Sequence, residues 1–247
     1  MVFDVDGTLV DSERHGHRVA FNRAFVEFSL PDHWDEVTYG RLLRTTGGQR
    51  RIDGWLAARG VSEDERRRLV PALHARKTEI IRELIRDGAI QARPGATRLV
   101  AELAEAGIRL AVATTGSRGW VEQVLATALP DTRFEVVVGG EDVANRKPDP
   151  EAFLGALKGL RLGPGEAVAI EDSAEGLAAA KAAGLTTVVI VNAYTADHDV
   201  APGDLVLDDF GTVEVPAHVV ADPHHTGCAG VLDLAILRTV HGAVWST

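Results

Sequence analysis

The chain of 247 residues contains one cysteine, one methionine and few aromatic residues, which make up 5% of its composition. Cys228 alone cannot form an internal disulfide, so a small disulfide-stabilised scaffold is excluded. No apolar run approaches the roughly 20 residues that a transmembrane helix requires. Asp4 and Asp6 stand where a secretory signal would need an apolar segment. We therefore expect a cytoplasmic protein without a membrane segment.

Basic residues are fewer than acidic ones. The chain has 26 Lys and Arg and 36 Asp and Glu, which give a formal net charge of -10. A negative chain repels nucleic acids and anionic membranes, so we expect neither as a partner. The charge is uneven, since residues 12–92 carry a net +3 and the remaining chain carries -13. A basic segment beside an acidic body suits a small anionic substrate and a metal cation. We expect a monomer.

Alternating apolar runs and helical patterns after about residue 95 predict parallel βαβ units. Strands are predicted at 2–5, 108–113, 167–170 and 186–191, and helices at 98–105, 148–160 and 174–183. Gly107 and Gly184 are expected to end helices. Residues 14–90 show helical spacing only. The pattern predicts an α/β fold, a Rossmann-like three-layer α/β/α core around a parallel sheet, with an inserted all-helical domain.

The insertion follows the carboxyl end of the first strand, where open α/β sheets bind their ligands. We therefore expect it to act as a cap over the ligand crevice. The expected boundaries are 1–13 and 93–211 for the core, 14–92 for the cap, and 212–247 for a tail that is partly helical at about 230–242.

Two aspartates directly follow the first predicted strand, in the segment Asp4-Val5-Asp6-Gly7-Thr8. Because Gly7 permits a turn, both carboxylates can reach one site at the end of the strand. Carboxylate oxygens suit a hard cation such as Mg²⁺, whose shell is often completed by substrate phosphate. The same residues also fit a simple Asp-Gly turn that ends a strand, so this segment alone does not decide between the two.

Three further segments carry polar groups next to predicted strand ends or helix starts. They are Thr114-Thr115-Gly116, whose hydroxyl and amides suit phosphate oxygens, Arg146-Lys147-Pro148, and Glu171-Asp172-Ser173. Simpler interpretations are a helix N-cap for the first and third segments and a solvated lysine for the second. In a doubly wound sheet of order 3-2-1-4-5, Asp4, Asp6, Thr114 and Asp172 would converge beside the first strand. This convergence favours a catalytic site.

Together, these segments resemble the motifs of the haloacid dehalogenase superfamily of aspartyl phosphotransferases. Phe3-Asp4-Val5-Asp6-Gly7-Thr8-Leu9 resembles the first motif, Thr114 the second, Lys147 the third and Glu171-Asp172 the fourth. The resemblance covers about residues 1–210, and the insertion has the position of a C1-type cap. Within the superfamily, the chain is most similar to the CbbY-like phosphatases of the β-phosphoglucomutase-like group. The segments that carry this similarity are His17-Arg18-x-Ala20-Phe21-Asn22, Tyr39-Gly40, Thr46-Gly47-Gly48, His74-x-x-Lys77-Thr78 and Arg93-Pro94-Gly95.

The resemblance implies a Mg²⁺-dependent phosphatase for a small phosphorylated sugar, with xylulose 1,5-bisphosphate as a candidate substrate. Asp4 is then the nucleophile that forms an aspartyl phosphate, and Asp6 is the general acid and base. Thr114 and Lys147 would stabilise the phosphate oxygens. The implied ligands of Mg²⁺ are Asp4, the backbone carbonyl of Asp6, Asp172, and Glu171 through a water molecule.

Substrate recognition is expected in two places. Thr115 and Gly116 would contact the reacting phosphate, and residues in and next to the insertion would hold the distal end of the sugar. The candidates there are Glu13, Tyr39, Arg44, Thr46, Gly47, Gly48, Arg51 and Lys77. Helical Arg and Lys are mostly solvated and Tyr39 can simply pack in a core, so both interpretations stay open. Gln49 stands where CbbY-like proteins tend to have Lys, which counts against a second phosphate site.

Other functions share parts of this pattern. A β-phosphoglucomutase-type mutase has the same core motifs and returns the phosphate to the sugar, so the sequence separates it poorly from a phosphatase. A phosphonatase needs a Schiff-base lysine, and Lys77 is the only lysine before Lys147. A haloacid dehalogenase lacks the second acid of the first motif, so Asp6 argues against it. A non-catalytic scaffold would be expected to have lost the nucleophile or a metal ligand, and this chain keeps both.

Overall fold

The structure is a computed structural model that describes residues 1–45 and 47–245. The chain divides into two compact units. The first, which we call the sheet unit, consists of Met1–Asp11 and the chain from Gln91 onward, and the second, the helical unit, is Ser12–Ile90. Thr46, one of the candidate substrate-binding residues, lies outside the described residues.

The helical unit begins with a π-helical turn at Glu13–His17. Its helices are α1 (Arg18–Glu27), α2 (Glu36–Leu43), α3 (Gly48–Ala58) and α4 (Glu63–Arg86). The side chains of Asp35 and Ser62 cap α2 and α4 by accepting backbone N–H groups of the first turn. The buried Trp34 lies against the rings of Phe21 and Phe25 in the core. The described residues of this unit contain no strand, so the prediction of an all-helical insertion is confirmed.

A parallel sheet forms the centre of the sheet unit. Its strands are β1 (Val2–Phe3), β2 (Ala111–Ala113), β3 (Val136–Val138), β4 (Val168–Glu171), β5 (Thr186–Ile190), β6 (Leu205–Leu207) and β7 (Val219–Ala221). The order is β3-β2-β1-β4-β5-β6-β7, and only β7 among the described strands runs antiparallel to its neighbour. Phe3 lies between Val112 and Ile170 in register. The predicted central position of the first strand is confirmed.

Helices cover the sheet. They are α5 (Ala96–Glu105), α6 (Arg118–Ala128), α7 (Glu151–Leu160), α8 (Ala174–Ala182) and α9 (Leu234–Trp245), with a short 3-10 helix at Pro164–Glu166. Phe153 of α7 and Ala180 of α8 pack with Val2 and Ala169 on one face of the sheet, while α9 contacts α5 and β5. The predicted fold class, a Rossmann-like α/β core with a helical insertion, is confirmed.

Several element ends differ from the predicted ones by a few residues. The second strand begins at Ala111 instead of residue 108, and α7 begins at Glu151 instead of residue 148. Pro150 is the N-cap of α7, and its missing N–H costs nothing there because the first N–H groups of a helix have no intrahelical acceptor. The sequence did not reveal the three-residue strands β3, β6 and β7, and α9 ends three residues later than expected.

Helix length and polarity also bear on membrane partners. The longest described helix, α4, has 24 residues and carries charged side chains along its length. Among residues 1–45 and 47–245, no helix is both long and apolar enough to cross a bilayer.

Candidate active site

Three of the predicted site segments meet at the carboxyl edge of the sheet. Asp4 follows β1, and its backbone N–H donates to the Ile170 carbonyl of β4 at 2.9 Å. Thr114 follows β2, and its backbone N–H donates to the Val138 carbonyl of β3 at 3.0 Å. Asp172 follows β4 directly. The parallel register therefore brings these segments to one edge, as the predicted strand order requires.

The side chain of Lys147 connects the first and fourth segments. Its Nζ donates to Asp4 Oδ1 at 2.6 Å and also to Glu171 Oε1. The lysine side chain is only 6% exposed, so it is not a solvated loop lysine. Its ammonium lies 4.9 Å from the centroid of the Phe153 ring. Lys147 is therefore a buried cation shared by two carboxylates.

Burial changes the acidity of these groups. It raises the pKa of Asp4 from its ordinary value of 3.8 to about 6, while Lys147 opposes the rise and Glu171 adds to it. Burial and the charges on Glu171, Asp4 and Asp6 raise the pKa of Asp172 well above its ordinary value. Burial alone would lower the pKa of Lys147, but Asp4 and Glu171 outweigh it and raise that pKa. The ammonium is thus charged at neutral pH.

The buried carboxylates form a group that suits a divalent cation. Asp4, Glu171 and Asp172 each place a carboxylate oxygen within 4.8 Å of the others, and all three residues are buried. Several buried carboxylates with one ammonium are unfavourable unless a further cation joins them. Their hard oxygen atoms and their excess negative charge fit Mg²⁺. These residues can therefore hold the metal that the sequence implied.

Glu171 is also tied to its own loop. Its Oε2 accepts the backbone N–H of Asp172 at 2.9 Å, and the N–H and hydroxyl of Ser173 at 3.4 and 3.3 Å. Gly176 in α8 leaves room for this carboxylate, because a Cβ at that position would overlap it. Ser173 Oγ accepts the N–H of Gly176 at 3.1 Å. The fourth segment is therefore an N-cap for α8 as well as a part of the carboxylate group.

Two residues around Asp172 were not among the sequence candidates. Thr8 Oγ1 donates to Asp172 Oδ1 at 3.3 Å, and Asn192 Nδ2 donates to Asp172 Oδ2 at 2.8 Å. Thr8 belongs to the first motif, but no pattern in the sequence relates Asn192 to the site. Asn192 follows β5, the neighbour of β4 in the sheet. The predicted strand order was the one signal that could have pointed to it.

The second segment forms a turn at the end of β2. The buried Thr114 accepts the backbone N–H of Gly116 on its Oγ1 at 3.2 Å, and the Gly116 carbonyl accepts the N–H of Gly140 at 2.8 Å. Thr115 is exposed. The turn thus presents hydroxyl and amide groups at the same edge as Asp4.

In the helical unit, three candidate residues form a hydrogen-bonded chain. The hydroxyl of Tyr39 donates to Glu13 Oε2, and Arg51 Nη1 donates to the Tyr39 oxygen at 3.0 Å. Arg51 Nε also donates to the Leu42 carbonyl at 3.1 Å. Tyr39 and Arg51 are buried, so Arg51 is not a solvated surface residue.

Lys77 belongs to the same cluster. The buried Lys77 pairs with Nδ1 of His17. Lys77 Nζ and the Arg51 guanidinium lie 4.8 and 5.9 Å from the centroid of the Phe21 ring. Burial, together with the charges on Lys77, Arg51 and His74, lowers the pKa of His17 well below its ordinary value. His17 is therefore held in its neutral form.

The other candidates of the helical unit surround the start of α3. Gly47 has a φ of 94°, and Gly48 lies so close to His74 and Phe21 that a Cβ would come within 2.8 and 3.3 Å of their rings. Gly48 thus borders the ring that both cations face. Arg44 is exposed.

Comparison with known proteins connects this geometry to a family. The family model for haloacid dehalogenase-like hydrolases matches residues 1–184. A CbbY protein from Cupriavidus necator is 38% identical over 252 residues, which cover 98% of this chain and 96% of that protein. A validoxylamine A 7'-phosphate phosphatase from Streptomyces hygroscopicus is 30% identical over 215 residues, which cover 87% of this chain and 95% of that protein.

Two crystal structures of CbbY from Rhodobacter sphaeroides each superpose with a TM-score of 0.70. One is a complex with phosphate, is 41% identical, and covers 84% of this chain and 92% of that chain. The other is a mutant in complex with xylulose 1,5-bisphosphate. Its sequence is 40% identical, and the match covers 86% of this chain and 96% of that chain. With these relatives and its edge of carboxylates around a buried lysine, the chain belongs to the haloacid dehalogenase-like hydrolases and, within them, to the CbbY-like phosphatases.

Proposed function

We propose that this protein is a Mg²⁺-dependent phosphatase that hydrolyses a small phosphorylated sugar through an aspartyl phosphate on Asp4. The observation that carries the proposal is the ion pair between Asp4 and Lys147 inside a buried group of carboxylates. Burial opposes ionisation of the nucleophile, and the lysine counteracts that effect. Xylulose 1,5-bisphosphate is the candidate substrate, supported by the CbbY structure that contains it and by the two buried cations of the helical unit.

In the first step, a carboxylate oxygen of Asp4 attacks phosphorus. A bond forms between that oxygen and phosphorus, and the bond from phosphorus to the sugar oxygen breaks. Asp6 gives a proton to the leaving sugar oxygen. With a pKa of about 6, Asp4 is ionised at neutral pH, as the attack requires.

In the second step, Asp6 takes a proton from a water molecule whose oxygen attacks the phosphorus of the aspartyl phosphate. The bond to Asp4 breaks, inorganic phosphate leaves, and both aspartates return to their initial states. We assign the Thr114 hydroxyl and the amides of Thr115 and Gly116 to the oxygens of the phosphoryl group, together with the ammonium that pairs with the nucleophile.

We assign the metal site to Asp4, Asp172, the backbone carbonyl of Asp6 and, through a water molecule, Glu171. When bound, Mg²⁺ supplies the positive charge that offsets repulsion between the substrate phosphate and the carboxylates. The donors are all oxygen atoms, as this cation prefers.

The distal end of the sugar is assigned to the helical unit. Arg51 and Lys77 place two buried cations around one aromatic ring, which suits a second phosphate group. Glu13 and Tyr39 are suited to sugar hydroxyls, because a carboxylate accepts and a phenol both donates and accepts. Arg44, Thr46, Gly47 and Gly48 complete the assignment. Since Gln49 is uncharged, recognition of the second phosphate depends on the two buried cations.

A hydrolysis assay of the purified protein tests the proposal with a panel of sugar mono- and bisphosphates, scored by kcat/KM in Mg²⁺ and in EDTA. We expect inorganic phosphate to be released fastest from a bisphosphate, and none to be released in EDTA. Asp4→Asn should reduce turnover by many orders of magnitude, because an amide is a poor nucleophile. Isomerisation of a monophosphate with retention of its phosphate label would instead identify a mutase. Full activity in EDTA or in Asp4→Asn would refute the proposal.

A further inference from the structure

Asn192 lies in the loop after β5, and its backbone is fixed there. Its N–H donates to Thr195 Oγ1 at 3.0 Å, and its carbonyl accepts the N–H groups of Thr195 and Ala196 at 3.1 and 2.9 Å. The side chain therefore projects from a well-defined turn.

The side-chain amide of Asn192 joins two parts of the site. Its Nδ2 donates to Asp172 Oδ2 at 2.8 Å and to the Gly7 carbonyl at 3.2 Å, so both of its hydrogens are used. Its Oδ1 accepts the backbone N–H of Tyr194 at 2.8 Å. These partners determine the orientation of the amide, because the reversed amide would place an oxygen against two acceptors.

Gly7 is the point at which the turn of the first motif meets this loop. Its carbonyl also accepts Arg93 Nη1 at 2.7 Å, and the buried Arg93 donates to the carbonyls of Ile190 and Val191 at 3.0 and 2.9 Å. Gly7 has a φ of 89°, and a Cβ there would overlap the Asp172 carboxylate. The turn after β1 and the loop after β5 are therefore held together through one carbonyl.

We propose that Asn192 is a positioning residue that sets the Mg²⁺ affinity of the site by fixing Asp172 against the turn of the first motif. This inference rests on the proposed function. Asp172 accepts one hydrogen bond on each oxygen, from Thr8 and from Asn192. Since each carboxylate oxygen can accept two, one position on each oxygen is left for a metal.

Mg²⁺ binding to the purified chain without substrate, measured by isothermal titration calorimetry, tests this role. Asn192→Ser keeps a short acceptor for the Tyr194 N–H but cannot reach Asp172. We expect it to raise the Mg²⁺ dissociation constant by about 10- to 100-fold, the usual effect of losing a hydrogen bond to a metal ligand. At saturating Mg²⁺, the KM for an aryl phosphate should be unchanged.

Ala193→Ser is the control, because Ala193 is an exposed residue of the same loop whose side chain makes no hydrogen bond to Asn192, Asp172 or Gly7. Its Mg²⁺ dissociation constant should change by less than about threefold, as expected for a residue outside the metal's hydrogen-bond network. Wild-type affinity in Asn192→Ser, or equal losses in both variants, would overturn the positioning role.

Circular dichroism establishes that the variants are folded. If Asn192→Ser does not fold, Asn192→Leu replaces it with the same expectation, because leucine matches the shape of asparagine without its donors. If the wild-type protein itself binds no Mg²⁺, the metal assignment of the proposed function fails and this inference fails with it. If the wild-type protein binds Mg²⁺ and Asn192→Ser binds it equally well, only the role of Asn192 is refuted.

Discussion

Replacing Asp4 by asparagine should stabilise the metal-free protein even though it removes the nucleophile. Burial raises the pKa of Asp4 from 3.8 to about 6 despite the ion pair with Lys147. Each pKa unit is worth about 1.4 kcal/mol, so ionisation of the buried carboxyl costs about 3 kcal/mol at pH 7.5. Asparagine has nearly the same shape as the neutral acid, so the substitution removes that cost.

The sign of the pH dependence follows from the same shift. An acid with a higher pKa in the folded state than in the unfolded state keeps its proton more tightly when folded. The unfolding free energy therefore falls as the pH rises from 3.8, the pKa in the unfolded state, to about 6, the pKa in the folded state. Above about pH 6 this loss is complete, and below 3.8 it is absent. At about pH 5 the stabilisation of Asp4→Asn should be about half of its value at pH 7.5.

Urea unfolding in EDTA, followed by circular dichroism at both pH values, measures these differences. Asp131→Asn is the control, because it removes the same charge from an exposed position of the sheet unit and should change stability by less than about 0.5 kcal/mol. In excess Mg²⁺ the advantage of Asp4→Asn should shrink, since the wild-type carboxylate is then a ligand. A loss of stability in Asp4→Asn at pH 7.5 in EDTA, or the same gain at both pH values, would refute the reasoning.

Two further predictions concern packing and substrate binding. Gly176→Ala should destabilise the protein and lower kcat for an aryl phosphate by at least about tenfold, because its Cβ would displace Glu171. Alanine in place of glycine inside a helix usually stabilises a protein by about 0.5 to 1 kcal/mol, and we expect this gain for the control Gly54→Ala in α3. Unchanged kcat in Gly176→Ala would contradict the expected displacement of Glu171. Arg51→Ala should lower kcat/KM for a bisphosphate by about 10- to 150-fold, the range for a charged hydrogen bond, and leave an aryl phosphate nearly unaffected. Arg50→Ala, at an exposed neighbouring position, should affect neither substrate, and equal losses on both substrates in Arg51→Ala would mean a structural role only.

The central parts of the fold and site could be predicted because they depend on local sequence. Buried parallel strands are continuous apolar runs, and helices that end in glycine separate them, as at Gly107 and Gly184. Once the strand order is inferred, polar residues at strand ends such as Asp4 and Asp172 must meet at one edge of the sheet. The convergence of the first and fourth motifs was therefore accessible from spacing alone.

The remaining features depend on tertiary packing, which periodicity does not reveal. The helical pattern around Arg51 and Lys77 fitted a solvated face as well as a buried one. The burial of both side chains and their shared contact with Phe21 distinguish the two. Asn192 reaches Asp172 from the neighbouring strand, 20 residues away in sequence. The strand β7 is too short to show alternation, so the sequence could not distinguish it from a loop.

The most direct test of the central claim is a search for phosphate on Asp4 during turnover. Wild-type protein is mixed with substrate and Mg²⁺, quenched in acid within the first turnover, digested and analysed by mass spectrometry. We predict a phosphoryl group on the peptide that contains Asp4, and none in EDTA. Borohydride should reduce this acyl phosphate, release inorganic phosphate and leave homoserine at position 4. A phosphoryl group on a different residue, or a first-turnover burst of alcohol product with Asp4 unmodified, would contradict this prediction.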